Sequence, residues 1–515
     1  MDDLGSLIEG IRLAPRDPLP RLVCADWLEE NDFPAQAQLV RVQCRLVGLS
    51  DRTSEYTALR TLESQLVSEV GDRIADWPGG IRPQEFDRGF YSHVTCGVDD
   101  LPILERGDHP PMPIDSLTLH SLAGGVDRAS LSAIWGRIRS LNLGDGLGAW
   151  TISRMFANVG STAGIGGRDL EVFLERADLS NLESLTIEFH HRVGRTGLQA
   201  LCKTRLPRLR ELALVAQGIA DADLPLLASA PWLDQLDSLT LWGNRITSVG
   251  AAYISGHLPE LAGLTKLDLS GNPLRADGLA ALLRSPWGDR LEVLKLADCG
   301  LFDISLRTLA RSPALRHLRE LDLSGESGRT ASADGGAVGP VGIAALARSD
   351  NLGSLVSLAL DDRNLGPESI ERMERGFPKL ERLSLNSNPL GPRGAAILVR
   401  SEWWDELTAL HLAYAGIEDA GIDRMWREEP LSLRDLHLNG NNIGNRGAGL
   451  LSRPGWLANL LTLRLHNNLI GAVGARSIAR SESLIHLVEL RLGSNPLRQR
   501  TLDALVARYA HRVRF

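Results

Sequence analysis

Large apolar residues recur along this chain in a fixed frame, L-x-x-L-x-L-x-x-N-x-L, with polar side chains between them. Leu236–Ile246 is one copy; others are Leu264–Leu274, Leu380–Leu390, Leu433–Ile443, Leu460–Ile470 and Leu487–Leu497. Copies begin at Leu209, Leu236, Leu264, Leu291, Leu318, Leu355, Leu380, Leu407, Leu433, Leu460 and Leu487, about 27 residues apart, and looser ones at Ile114, Ile138 and Leu182 bring the total to fourteen. The wider intervals after Ile138 and Leu318 predict insertions over 144–170 and 324–341. A fixed period of this size is the signature of a solenoid, whose units bury their apolar faces only against one another.

Two periodicities share each unit. The alternation in L-x-L predicts a short strand with one buried face. The stretch after it, as in Gly250–Ser255 or Gly278–Leu283, spaces apolar residues three and four apart and predicts a helix. Strand and helix alternating in one direction require parallel strands. Strands stack about 4.8 Å apart and helices about 8–10 Å apart, so a sheet lined by helices on one face must curve. The expected fold class is α/β, a horseshoe with a concave parallel sheet and convex helices. The Asn of each unit (Asn244, Asn272, Asn388, Asn441, Asn468, Asn495) follows the strand, where its amide can satisfy backbone groups the sheet no longer pairs. Cys299 holds the same position and is expected to be a structural thiol.

On this register, residues 114–515 resemble leucine-rich repeats of the ribonuclease-inhibitor-like class. The chain departs from ribonuclease inhibitor in its few cysteines and slightly short repeats. The resemblance implies a recognition scaffold.

Residues 1–80 do not fit the repeat. Asp17-Pro18 predicts a capped helix start, with a helix through Glu30; Leu39, Val42, Leu46 and Leu49 mark a second helical face, and Leu59, Leu62, Leu66 and Val70 a third. The expected domain is small and α-helical. Glu85–Val98 reads as a strand pair bending at Gly89, and residues 81–113 are expected to cap the solenoid edge and lead into it. The stretch Arg21-Leu-Val-Cys-Ala-Asp-Trp-Leu-Glu-Glu, followed by Gln38-Leu-Val-Arg-Val-Gln, is similar to the repeat-companion domain of planctomycete bacteria. That resemblance implies architecture and lineage without a mechanism. Trp27 is expected in the core and Asp26 in a helix-to-helix hydrogen bond.

Charge narrows the partners. Residues 1–113 carry 11 Arg and 20 Asp or Glu, and the remainder is nearly neutral, within a total of 56 basic and 64 acidic residues. No broad basic field covers the chain, so nucleic-acid binding is not expected. Five scattered cysteines give neither a disulfide framework nor a zinc spacing. No apolar run is long enough for a bilayer, and Met-Asp-Asp-Leu-Gly is no basic, apolar leader, so the expected setting is cytoplasmic, with no membrane partner.

Catalytic chemistry is not expected. His190-His191 has no carboxylate or Cys at metal spacing, and Gly160–Gly167 lacks the Gly-Lys-Ser/Thr end of a phosphate loop. No cofactor, metal or catalytic residue is predicted. Trp232, Trp287, Trp403, Trp404 and Trp456 recur at one phase before a repeat and are read as packing residues. Trp242 and Tyr414, just past the strand leucines, are candidate hot-spot aromatics. The residue between the strand leucines points into the concavity, and along the later repeats it reads Asp268, Lys295, Asp322, Ala359, Ser384, His411, His437, Arg464, Arg491, ending positive or titratable. The candidate partner-binding residues are therefore Trp242, Asp268, Lys295, Asp322, His411, Tyr414, His437, Arg464 and Arg491, a gradient that would orient a partner with an acidic end. The expected function is a non-catalytic protein-interaction scaffold binding through the concave sheet and rim loops. The alternatives are a small-GTPase regulator, which the fold resemblance implies, and a self-assembling structural protein.

Overall fold

The structure is a computed structural model and describes residues 2–74, 77–84, 86–120, 125–144, 166–188, 193–257, 261–286, 288–325, 338–427, 432–455 and 457–515. Trp287, Trp456, His190-His191 and most of both predicted insertions lie outside the described residues. The chain divides into two compact units, one of residues 1–48, 65–273 and 285–287, the other of residues 49–64, 274–284 and 288–515.

In the first unit, α1 (Asp2–Leu13), α2 (Pro18–Glu30) and α3 (Pro34–Leu46) precede the repeats. The Asp17 carboxylate accepts from the Leu19 backbone N–H at 2.9 Å, and Pro18 opens α2, the predicted cap. The buried face of α2 is Arg21, Cys24, Ala25 and Leu28, spaced i, i+3, i+4 and i+7. Trp27 falls off that stripe and is only half-buried, contrary to the core position expected of it. Small Cys24 and Ala25 are what face inward. Asp26 does link helices: Arg41 of α3 pairs with Asp26 and Glu29 of α2 at 2.7 Å each.

Arg21 is 2 % exposed and reaches the Asp87 carboxylate at 3.0 Å and the Asp87 carbonyl at 3.1 Å. Burial pushes its pKa down, and the charge of Asp87 opposes that. The Asp87 hairpin pairs Phe86–Asp87 with Phe90–Tyr91 around Gly89, the predicted bend. His93–Cys96 then lies parallel to Ser116–Leu119, the strand of the first repeat, and antiparallel to Arg82–Pro83. The first repeat strand is thus not left as an open edge. Parallel pairing continues through Ser140–Leu143, Ser184–Ile187, Glu211–Leu214, Ser238–Thr240 and Lys266–Asp268.

Asp115, just before the first repeat strand, is a charge at odds with its surroundings. Burial pushes its carboxyl up to about 6, against the pull of Arg139 and Arg21. A folded-state pKa above the unfolded value of 3.8 means stability that is full below that value and lost as pH rises through about 6. Asp115→Asn removes that loss. Urea denaturation of the variant at pH 7.5 is expected to give about 2 kcal/mol more stability than the parent, with little difference at pH 4. Equal gains at both pH values would mean that Asp115 does not titrate in this way.

In the second unit, parallel strands run from Val293–Lys295 through Glu320–Asp322, Ser357–Ala359, Arg382–Ser384, Ala409–His411, Asp435–His437, Thr462–Arg464 and Glu489–Arg491. A last strand, Val513–Arg514, pairs with Glu489–Arg491, Val513 standing in the leucine row and Arg514 beside Arg491. The central leucines align rung by rung, as in Leu410, Leu436, Leu463 and Leu490. They are fully buried under the helices, while most residues flanking the central leucines are half-exposed on the opposite face, Asp322 being buried and Arg382 exposed.

The asparagine ladder forms as predicted. Asn244, Asn272 and Asn468 each donate to a carbonyl of their own repeat, just past its strand, and to one in the repeat before, and accept from a backbone N–H of that earlier repeat. Trp232, Trp403 and Trp404 are at most 3 % exposed, and the indole N–H groups of the first two donate to the carbonyls of Leu201 and Met373 in the preceding repeat. The 49–64 segment packs on the same unit: Arg52 pairs with Glu406 and, at 2.9 Å, with Glu381, Arg434 donates to the Asp51 carbonyl at 2.8 Å, and Thr61 donates to the His486 carbonyl at 3.2 Å.

Candidate functional site on the open sheet face

Strand alternation places two side chains per repeat on the face opposite the helices, one on each side of the central leucine. In the second unit this face gathers His411, His437, Arg464 and Arg491 on neighbouring strands, in register. The other row contributes Asp435 and Glu489, which sequence reasoning passed over because it followed only the residue between the leucines. The missed signal was the i, i+2 relation of Asp435 to His437 and of Glu489 to Arg491.

These residues form two linked groups. His411 and His437 stack with ring centroids 3.8 Å apart and planes within 5°. His411 Nε2 lies 3.0 Å from Asp435 Oδ2, and His437 Nε2 lies 3.1 Å from Asp435 Oδ1. The first contact has hydrogen-bond geometry; the second does not, and both of its atoms are buried without a hydrogen-bond partner among the described residues. Burial disfavours the Asp435 carboxylate, but contact with both imidazoles outweighs it and holds the group well below the usual carboxylate range. Burial pushes His437 down, opposed by Asp435 and reinforced by the charges of His411 and Arg464. In the second group, Arg464 and Arg491 both direct Nε to Glu489 Oε1, at 3.0 and 2.5 Å. One glutamate therefore offsets part of the cationic end that the sequence displays. Arg514 extends the row by one rung.

The other predicted residues fall elsewhere. Tyr414 is 47 % exposed, its ring set against Gly440 and its hydroxyl accepting from Asn467 Nδ2 at 2.8 Å. Lys295 Nζ lies 3.3 Å from Glu320, and Asp322 is buried, its carboxylate accepting from the Ser324 N–H at 2.9 Å and its pKa raised by burial. Trp242 and Asp268, both half-buried, belong to the first unit, where Asp268 accepts from the Ser270 N–H at 2.9 Å.

No disulfide joins the five cysteines; burial pushes Cys24, Cys96 and Cys202 up to about 12, and Cys299 is fully buried. Thiols held that high carry no appreciable thiolate near neutral pH. No helix among the described residues is long and apolar enough to cross a membrane.

A family profile described as "Leucine Rich repeat" matches residues 264–283 and 430–452. The chain is 29% identical over 277 residues to ribonuclease inhibitor of Sus scrofa, covering 50% of this chain and 58% of that protein. It is likewise 29% identical over 256 residues to the Mus musculus protein, covering 47% and 54%. The chain thus spans little more than half the length of either relative. Among solved structures, it is similar to one of the Rad7 and Elc1 complex in yeast, with 16% identity, 81% of this chain and 90% of that chain covered, and a TM-score of 0.37. The strand register and the asparagine ladder give the chain the fold of a leucine-rich-repeat solenoid, and the profile matches segments of it.

Proposed function

We propose that the chain is a non-catalytic scaffold that binds a protein partner through the open sheet face of its second unit. Leucine-rich-repeat proteins act in general as protein-interaction scaffolds. The observation that favours this face is the in-register row His411, His437, Arg464, Arg491 and Arg514, with exposed Tyr414 nearby as an aromatic anchor. Arginine forks beside a partly neutralising glutamate suit a partner segment carrying carboxylates, which would compete with Glu489 for the two guanidinium groups. The reading extends to residues 1–80 as a repeat-companion module, residues 81–113 as a cap, residues 114–515 as the repeat domain, and a cytoplasmic setting.

Capture from native lysate tests the reading. The bait is compared with a folded variant carrying His411→Glu, His437→Glu, Arg464→Glu and Arg491→Glu. The expected result is a protein retained by the parent and lost by the variant. Equal retention by both would remove this face from the account, and self-association of the bait alone would replace partner binding with assembly.

A further inference from the structure

We propose that His411, Asp435 and His437 form a binding site for a zinc-class divalent cation. The three residues are the described group of His, Cys, Asp or Glu side chains whose ligand atoms all lie within 4.8 Å of one another. Two imidazole nitrogens and one carboxylate oxygen are a donor set found at zinc sites that keep a coordination position open.

The geometry carries the proposal. Bonds of about 2.0–2.1 Å in a tetrahedral arrangement put neighbouring ligand atoms roughly 3.3 Å apart. The two nitrogen-to-oxygen separations here, 3.0 Å to Asp435 Oδ2 and 3.1 Å to Asp435 Oδ1, are close to that, and a small turn of the carboxylate, or binding through both oxygens, brings the donors around one ion. Both imidazoles turn Nε2 toward the same carboxylate, but the rings stack face to face, so one of them has to turn about its Cβ–Cγ bond for both in-plane lone pairs to meet at one ion. Asp435 Oδ1 and His437 Nε2 are buried, face each other and make no hydrogen bond among the described residues. An ion shared between them would satisfy both, where a proton on His437 Nε2 does not align with its acceptor.

The surroundings set the charge balance. Ser384 flanks His411 on one neighbouring strand, and Arg464 flanks His437 on the other. The Arg464 cation opposes a dication, but its charge is shared with Glu489 at 3.0 Å. His466, whose Nδ1 is also buried without a hydrogen-bond partner, and Arg491 lie beyond it. With both imidazoles neutral and Asp435 ionised, the ligand set supplies one negative charge, and water or a partner side chain fills the remaining position. The three side chains are 27 %, 32 % and 12 % exposed, so the ion would be reachable from the open face.

The test needs no protein partner, so its failure is separate from failure of the scaffold reading. Tag-free full-length chain, stripped with a chelator, is titrated with Co²⁺ alone, followed by visible absorption, and with Zn²⁺ alone, in competition with a chromogenic chelator. The expected result is one equivalent per chain with the ligand-field spectrum of a tetrahedral site. Asp435→Asn keeps the side-chain shape, and His411→Gln changes only the more exposed imidazole; each is expected to weaken binding at least tenfold. Thermal unfolding of the metal-free variants checks that they fold, and Zn²⁺ is expected to raise the melting temperature of the parent alone. Absence of a stoichiometric site, or affinity unchanged in either folded variant, would overturn the proposal.

Discussion

Asn441→Ala is expected to cost about 3–5 kcal/mol, as much as the loss of a large core side chain. Asn441 is fully buried, donates Nδ2 to the Leu412 carbonyl at 2.7 Å, and accepts from the N–H groups of Ala415 and Ile417 at 3.0 Å each. Alanine leaves all three backbone groups buried and unpaired, and each such group costs about 1–3 kcal/mol. Because repeats are held by their neighbours, the damage should centre on the repeats of Leu407 and Leu433. Chemical denaturation gives the magnitude, and hydrogen exchange at Ala415 and Ile417 gives the location. Asn467→Ala is the control: that side chain is exposed and donates to the Tyr414 hydroxyl, and its φ of +57° adds a left-handed penalty for alanine, so the change should cost about 1–2 kcal/mol. Similar costs for the two variants would show that the ladder does not hold the repeats together.

The second large effect is expected at Gly89. Its φ of +86° lies in the left-handed region, and an added Cβ would stand 2.1 Å from Val40 Cγ2 and 2.8 Å from Val40 Cα. The side-chain methyl can turn away, but the backbone atom cannot. The hairpin is also held to α3 on both sides of the peptide, since the Gly89 N–H donates to Gln43 Oε1 at 2.5 Å and its carbonyl accepts from Gln36 Nε2 at 3.2 Å. Gly89→Ala combines a strained backbone with overpacking and should cost about 3 kcal/mol or more. Limited proteolysis should then cut within residues 1–113 well before the repeats. Adding Val40→Ala should recover only part of the loss. Full recovery would mean that the methyl contact, and not the backbone approach, excludes a side chain here.

Much of the fold is legible in the sequence because each repeat states the same pattern again. Leu236, Leu264 and their equivalents fix strand, face and register, and the phase of Trp232 and Trp403 fixes their burial. Where a pattern occurs once, it is easier to misread. Trp27 suggests a core residue by its size, yet the helical spacing of Arg21, Cys24, Ala25 and Leu28 is what decides the buried face of α2. An arginine on that stripe is explained only by Asp87, 66 residues away in sequence. The final strand, Val513–Arg514, lacks the leucine frame and is recognised only by its pairing.

The site was half legible. The row His411, His437, Arg464 and Arg491 follows from alternation within a strand. That Asp435 touches both histidines and Glu489 both arginines needs the register between strands, because His411 and Asp435 stand 24 residues apart and Arg464 and Glu489 stand 25 apart. Metal-ligand patterns read along a chain look for donors a few residues apart. A solenoid instead brings donors together at the repeat period.

The central claim is that the open sheet face of the second unit receives a protein partner. Photo-crosslinking tests it most directly. A photoreactive residue replaces Arg464 on the sheet, or Arg476, which is exposed on the helix Ala472–Arg480, and each chain is irradiated in native lysate before mass spectrometry. The account predicts a discrete protein adduct from position 464 and none of that protein from position 476. An adduct from position 476 alone would contradict it and place the partner on the helical face.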